Sequence, residues 1–579
     1  MSNQASSIVS WVVPPARRVF CGDSPAPSAE HLCALRNEPI SFSLAYRSTL
    51  EKGANGRVPD MPISISVTSE TLPLAVYKVC AVPFPAAECE DASPDTVGSC
   101  PDILVRKLAA PPVRYIGDRI APYIEEGERV LLNASCAITQ SILITANEDG
   151  VPLSAGTHEI CLRIVSLRSG ETLAEHRVTV SLIDASLPEN DLIYTTWFHY
   201  DCLAEAHRLP LWSDEYFRIL GKYIRNATRH GMNTLLTPAF TPALDTPVGT
   251  ERMNVQLVGV CKTASGYAFD FSLLRRFVRV ARENGIRTFE HCHLFSQWGA
   301  AQAINIYGQE KGKTVRLFGW ETPATDPAYQ SFLQEYLTAF LAFAEEEGIA
   351  GQLLFHISDE PKESQLESYA AALRTVERVL GDRCIGDALS SIAFYRHGLV
   401  RLPIVDIAHA DEFDGECEQM MLYYTGGEAM PGLTNRLLTG APWKTRILGL
   451  QLYRYRAKGF LHWAYNNYYG RMSLGLFDPA IDPCFYKNIP GVTYLVYPGG
   501  VDDLMPSLRE KQLCEAVNDY RALRLLESLI GREETLALCE RFFGGKIDIL
   551  TLPASSEQMR NFRQTVNEAI SKHIQYDQQ

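Results

Sequence analysis

The chain has 579 residues, too many for one core, because a single domain stops growing at roughly 250–300 residues. Its 54 Lys+Arg against 68 Asp+Glu leave a net charge of −14 with no local basic cluster, which argues against nucleic acid and an anionic membrane surface as partners. Hydrophobic residues at 46% and charged residues at 21% are the proportions of a globular chain and exclude extensive disorder.

The opening MSNQASSIVSWVVPPARRVF has no basic stretch ahead of its apolar run, and Pro14 and Pro15 stop that run, so it does not read as a signal peptide. No segment reaches the ~18 uninterrupted apolar residues of a spanning helix. The 15 cysteines, scattered from Cys21 to Cys539 without a CxxC pair, read as reduced thiols. A soluble, cytoplasmic protein is expected, in which the sequons at Asn133 and Asn226 carry little weight.

From about Ile40 to Ile183 short alternating runs follow one another: ISFSLAY, ISISVTS, LAVYKVCAV, VLLNASCAI, HEICLRIVSL and HRVTVSLI. Such spacing predicts an N-terminal β-sandwich over residues 1–188, bounded by the breaker-rich DASLPENDL. Apolar β-rich segments then alternate with helical patterns. Gly231, Gly285, Gly348, Gly381 and Gly459 precede five of these segments and are placed to end helices in the left-handed conformation. Leu273, Leu274, Phe277, Val280 and Ala281 form one apolar helical stripe, and Phe332, Tyr336, Leu337, Phe340 and Phe343 form another. The candidate parallel strands are LIYTTWFH, MNTLLTP, IRTFEHCH, GQLLFHI, RCIGDAL, IVDIAHA, MMLYYT and FLHWAY. Eight such strands predict a (β/α)8 TIM-type barrel over 189–503. An open doubly wound sheet would need an early Gly-rich phosphate turn, which is missing. The helical spacing of Leu513, Ala516, Val517, Tyr520, Leu523 and Leu526 predicts a C-terminal helical region, 504–579, packed on the barrel.

In a barrel the chemistry sits where strands end. The fourth strand runs GQLLFHISDEP, bringing His356, Ser358, Asp359 and Glu360 to the mouth before Pro361. Adjacent carboxylates there raise one pKa and leave the other ionised, which suits an acid beside a stabilising anion. The competing reading is that either residue caps the next helix. Other strand ends favour a sugar pocket: Trp197 and His199; His293, Gln297 and Trp298; Tyr423 and Tyr424; and Trp463, Asn466 and Asn467. Aromatic faces stack on CH-rich rings, while imidazoles and amides bond hydroxyls.

The HISDEP segment resembles the signature of glycoside hydrolase family 123, which ends in the same Asp-Glu-Pro. YYTGGEAMPGLTNRLL, TRILGLQLYRYRAKGFLHWAYNNY, TYLVYPGG and SLREKQLCEAVNDYRAL resemble that family's catalytic region in order and spacing, so that the likeness covers about Leu192 to Glu527. The resemblance implies a retaining exo-β-glycosidase of 2-acetamido sugars, with N-acetyl-β-galactosaminidase as leading activity and the substrate's own acetamido group as nucleophile. It implies Glu360 as general acid/base and Asp359 as the residue that orients the acetamido group and stabilises charge on its nitrogen. Tyr424 is then the candidate donor to the acetamido oxygen. Leu450 stands where relatives carry Trp, which points to a difference at the sugar subsite. The implied partner is an oligosaccharide or glycoconjugate with a terminal 2-acetamido sugar, and no cofactor is expected.

Two other functions compete. His291 and His293, at i and i+2 on one strand face, recommend a metal-dependent barrel hydrolase with His199, His356 and His409 as further ligands. Fold and aromatics are also compatible with a catalytically silent carbohydrate-binding protein. Gly308–Thr314 is one residue short of a phosphate loop, and Arg471 occupies the Gly position of a nucleophile elbow over Arg471–Gly475.

Overall fold

A computed structural model describes residues 7–51, 55–56, 58–59, 61–84, 98–106, 123–125, 129–426, 432–487, 489–499 and 503–577. Residues 427–431 of the YYTGGEAMPG segment and Gly500 of TYLVYPGG lie outside them.

The N-terminal region is β-rich. A five-stranded antiparallel sheet runs Ile8–Val13, Ile40–Ser48, Gln140–Ala146, Leu74–Phe84 and Gly98–Val105. A six-stranded sheet runs His31–Leu35, Thr172–Ile183, Gly156–Ser166, Pro62–Thr68, Arg129–Asn133 and Tyr123–Glu125. Alternation selects the buried face: Val178, Val180 and Leu182 point into a core with Phe42, Leu44, Ile142 and Ile144 of the other sheet. All six expected runs contribute to strands, the one in VLLNASCAI ending at Asn133. The Gly98–Val105 strand has no such alternating run in the sequence, because Pro101 and Gly98 interrupt its pattern.

All eight expected parallel segments contribute to one curled parallel sheet flanked by helices, but the sheet has nine strands. Its order is Cys384–Ile385, Leu353–Phe355, Thr288–His291, Thr234–Thr237, Ile193–Thr196, Gly459–His462, Met421–Tyr423, Ile404–Asp406 and Ala388–Leu389. The two ends are halves of the expected fifth strand, broken at Gly386 and Asp387. A side chain at Gly386 would press on the Leu402 carbonyl oxygen. Asp387 turns its carboxylate inward, so its segment cannot continue as regular ladder.

Four of the five expected glycines have positive φ, from 57° at Gly381 to 101° at Gly285. Gly459 is the exception. It lies in a strand whose close approach to the Ile193 carbonyl leaves no room for a Cβ, and Arg456 takes the left-handed turn at φ 51°. A four-stranded sheet that the sequence did not suggest, from Gly259–Thr263, Gly266–Asp270, Ile306–Glu310 and Lys313–Phe318, fills the connections after the second and third parallel strands. The phosphate-loop lookalike is the turn of its last hairpin, with Lys311 and Gly312 at φ 51° and 76°. No helix among the described residues is long and apolar enough to cross a membrane, and the described cysteines are free.

The Leu508–Ile530 helix starts at Ser507, whose Oγ accepts the Glu510 N–H at 3.1 Å. It buries Leu513, Ala516, Val517, Leu523 and Leu526 as expected, and Arg509, Glu510 and Lys511 as well. The Leu448–Arg454 helix approaches it so closely that a methyl group on Gly449 would collide with the Ala516 carbonyl oxygen. Gly449→Ala should therefore destabilise the protein by about 1–3 kcal/mol net, because overpacking against backbone exceeds the ~1 kcal/mol helix-propensity gain. Urea unfolding measures this, and a stabilised variant would refute the close contact.

Candidate active site

At the C-terminal ends of the parallel strands lies a cavity of about 250 Å3. Trp197, Gln297, Trp298, Asp359, Glu360, Tyr423 and Trp463 line it, as the sequence expected. Asp245, Arg471, Met472, Tyr486 and Lys487 line it too, and sequence reasoning did not select them. They come from long connections far from the strand ends. The only signal within reach was the Arg471–Gly475 segment, set aside as a failed nucleophile elbow.

Strand parity decides which expected residues reach the cavity. In Met421–Tyr423 the residues Met421 and Tyr423 face the interior of the curled sheet with Trp197, Leu354 and Leu461. Tyr424 therefore faces outward, fully buried against Phe460 and His462, with no partner for its hydroxyl among the described residues. It does not line the cavity, which corrects its expected role. Leu450 is likewise buried in the main core rather than at a sugar subsite. Asn466 is buried beneath the rim, where its side chain accepts the His199 N–H at 2.9 Å and donates to the His199 carbonyl at 3.1 Å. His199 is neutral: burial and Arg252 push it down to about 3, Arg252 donating to Nδ1 at 3.0 Å while Nε2 donates to the Trp463 carbonyl at 3.1 Å.

The proposed metal pair is split. Alternation breaks at Cys292, so His291 faces the helices and bonds the Cys292 carbonyl at 2.6 Å and the Tyr336 hydroxyl at 2.7 Å. His293 faces inward, stacked on His356 with ring centroids 4.8 Å apart. His293, His356 and Asp387 do bring potential ligand atoms together. His356, however, has both nitrogens committed, Nε2 to Glu290 and Nδ1 to Asp387, each at 3.3 Å.

This arrangement is a buried imidazolium between two buried carboxylates. Burial alone would lower the His356 pKa, but hydrogen bonds to Asp387 and Glu290 outweigh it and lift it to about 10. A protonated imidazole has no lone pair for a metal. Glu290 also accepts from Thr195 Oγ1 at 2.5 Å and Trp197 Nε1 at 3.4 Å. Asp387 accepts the Ile357 N–H at 3.1 Å, the Ser358 N–H at 3.3 Å and the Tyr369 hydroxyl. The Ser358 hydroxyl donates to the Ser296 carbonyl at 2.8 Å and accepts N–H groups of Gly299 and Ala300 at 3.2 and 3.1 Å. The Trp298 N–H donates to the Asp359 carbonyl at 2.7 Å. The HISDE segment is thus bonded on every side.

Asp359 and Glu360 leave this scaffold half-buried at the cavity floor. Desolvation, then the charges of Glu360 and Asp387, push the Asp359 carboxyl well above the usual carboxylate range, against the pull of His356. Tyr423 donates to Glu360 Oε1 at 2.9 Å. Glu360 has φ 42°, and Asp245, Trp298, Met472 and Lys487 are also left-handed, at 44°, 58°, 57° and 52°. Each such non-glycine residue costs roughly 1 kcal/mol or more, and they concentrate around this cavity. Gln297 donates Nε2 to the Thr246 carbonyl at 2.8 Å and leaves its buried Oε1 without a partner among the described residues. Aromatic walls, an available amide oxygen and two adjacent carboxylates form a site suited to a sugar and acid catalysis.

Because His356 titrates near 10 in the folded chain and at an ordinary 6.5 when unfolded, its protonation contributes stability that is complete below pH 6.5 and lost as the pH rises through about 10. The melting temperature of wild type should exceed that of His356→Gln by most near pH 6.5, and the gap should shrink toward pH 10. A gap independent of pH would contradict a charged His356.

A solved family 123 glycoside hydrolase from Clostridium perfringens, described for glycolipid glycan hydrolysis, superposes with a TM-score of 0.69 at 12% identity over 98% of each chain. A family 39 glycoside hydrolase from Bacteroides cellulosilyticus WH2 gives 0.32 at 10% identity over 85% of this chain and 81% of that one. Comparison with curated proteins finds no match. The sequence model described as "Glycoside hydrolase 123, catalytic domain" matches residues 197–526, which is more than half of the 579. The chain belongs to glycoside hydrolase family 123.

Proposed function

We propose that the protein is a retaining exo-β-glycosidase of 2-acetamido sugars, with N-acetyl-β-galactosamine as leading substrate, working through an oxazoline intermediate. The observation that carries this reading is the adjacency of Asp359 and Glu360 on one loop at the cavity floor. Burial, then the charge of Glu360, raises the Asp359 carboxyl above the ordinary carboxylate range. Glu360, held by Tyr423, supplies a proton to the glycosidic oxygen. The acetamido carbonyl attacks C1, and Asp359, ionised at that moment, balances the positive charge gathering on the acetamido nitrogen. Tyr486, which with Tyr423 lines the cavity, is the candidate to meet the acetamido oxygen in exchange for its bond to Asp245. Trp197, Trp298 and Trp463 offer ring faces to the sugar.

In this reading the curled sheet is a (β/α)8 barrel whose fifth strand is split at Gly386 and Asp387. The chain divides into a sandwich (1–188), the barrel (189–503) and a helical region (504–579). A two-carboxylate mechanism would need Asp245 or Asp359 as nucleophile, and the Asp245 carboxylate already accepts the Met472 N–H at 3.1 Å and the Tyr486 hydroxyl at 3.4 Å.

If Glu360 is the proton donor, Glu360→Gln should lower turnover by ~10² or more on substrates with poor leaving groups and far less on activated aryl glycosides. Equal small losses on both would make Glu360 a structural residue. A thiazoline mimic of the bicyclic intermediate should bind more tightly than the parent sugar. Asp359→Asn should lose much of that binding together with most turnover. Indifference to the thiazoline, with a 2-fluoro glycoside trapped as an ester on Asp245 or Asp359, would sink substrate assistance.

A further inference from the structure

Two cations stand at the same cavity, and the chemistry proposed above uses neither. Arg471 and Lys487 both line it, and among the described residues neither has an ion-pair partner. Lys487 lies over the Tyr486 ring, 5.6 Å from its centroid. Asp245, the third carboxylate of the cavity, accepts the Met472 N–H and the Tyr486 hydroxyl and meets Lys487 only through its charge, not in an ion pair.

This rim is held in place at a cost. Arg471 opens a short turn in which Met472 and Ser473 are both left-handed, at φ 57° and 54°. Asp245 fixes that turn twice: its carboxylate accepts the Met472 N–H at 3.1 Å and its carbonyl accepts the Ser473 hydroxyl at 2.8 Å. Lys487 is itself left-handed at φ 52°. A neutral sugar requires ring faces and hydroxyl partners, which the tryptophans and Gln297 already supply. A guanidinium fork and an ammonium outside any direct ion pair among the described residues are what a substituent with several anionic oxygens requires.

We propose that Arg471 and Lys487 read an anionic substituent, a sulfate ester or a carboxylate, on the sugar held in this cavity. The preferred substrate is then an acidic sugar rather than its neutral parent. The inference rests on the cavity being the sugar subsite of the glycosidase proposed above. The competing role for the two cations is to offset the charge of Asp245, Asp359 and Glu360. In that case neutral and acidic substrates would weaken together when the cations are removed.

A crossed panel separates these outcomes. Chromogenic β-galactosides are prepared with and without the 2-acetamido group, each one unsubstituted, sulfated at C4, sulfated at C6, or oxidised to the C6 carboxylate. Values of kcat/KM are measured for wild type and for Arg471→Gln/Lys487→Gln. Wild type should prefer at least one anionic form over its neutral parent by tenfold or more, and that ratio should fall at least tenfold in the double variant and decline with salt. The form preferred identifies sulfate or carboxylate as the group read. Preference for the neutral parents, or an anionic preference unchanged in the double variant, would overturn the proposal. The acetamido comparison tests the mechanism separately: indifference to that group sinks substrate assistance and leaves the charge ratio meaningful. If none of the glycosides is cleaved, the same ratios are read as dissociation constants of the free sugars, with the same outcomes deciding.

Discussion

The site depends on one buried imidazolium. His356 sits between Glu290 and Asp387, and all three side chains are cut off from solvent. Removing one partner from such an arrangement typically costs roughly 3–5 kcal/mol, because a charge is left buried without compensation. The group is therefore an all-or-none element rather than an adjustable one. Its consequences reach the surface within three residues of chain. Asp387 breaks the fifth parallel segment and receives the N–H groups of Ile357 and Ser358, so the HISDE segment has a single path to follow. Asp359 and Glu360 emerge at its end with their orientation set from below. The same cation draws down a carboxyl that desolvation and neighbouring charge push up. Structure and electrostatics of the site thus have a common origin.

A second layer of buried charge ties distant parts of the chain to this scaffold. Arg509, at the start of the Leu508–Ile530 helix, pairs with Asp102 of the N-terminal region at 3.0 Å and also donates to the Gly491 and Tyr494 carbonyls at 2.6 and 2.9 Å. Lys511 pairs with Glu148 at 2.6 Å, and Arg563 with Glu38 at 2.7 Å. Such pairs contribute modestly to net stability but penalise any other packing of the same surfaces. The helical C-terminal segment clamps the β-rich N-terminal region against the parallel sheet.

The parallel strands were legible because a strand covered on both faces is a nearly continuous apolar run. GQLLFHI, MNTLLTP and FLHWAY announce themselves without any partner in view. Glu360 and Asp359 were legible because the run ends abruptly in charge. What failed was parity. Tyr423 and Tyr424 are equally plausible in the sequence, and only the register of Met421–Tyr423 turns one inward. His291 and His293 have the spacing of one strand face, and a single irregularity at Cys292 separates them. Asp387 and Glu290 were invisible for a different reason, since each lies inside a segment that reads as ordinary strand. Arg471, Tyr486 and Lys487 reach the cavity from connections whose course depends on Asp245, more than two hundred residues earlier, and local pattern holds no record of such a meeting.

Glu360 occupies a left-handed backbone position with a carboxyl beside a second carboxyl, and both features oppose folding. A glycine at that position would relax the backbone and remove the repulsion together, leaving the aromatic walls and the buried imidazolium untouched. The most stable version of this cavity is therefore one that lacks the Glu360 carboxylate. The fold by itself thus supplies no reason for a carboxylate at this position, and stability alone would favour its loss.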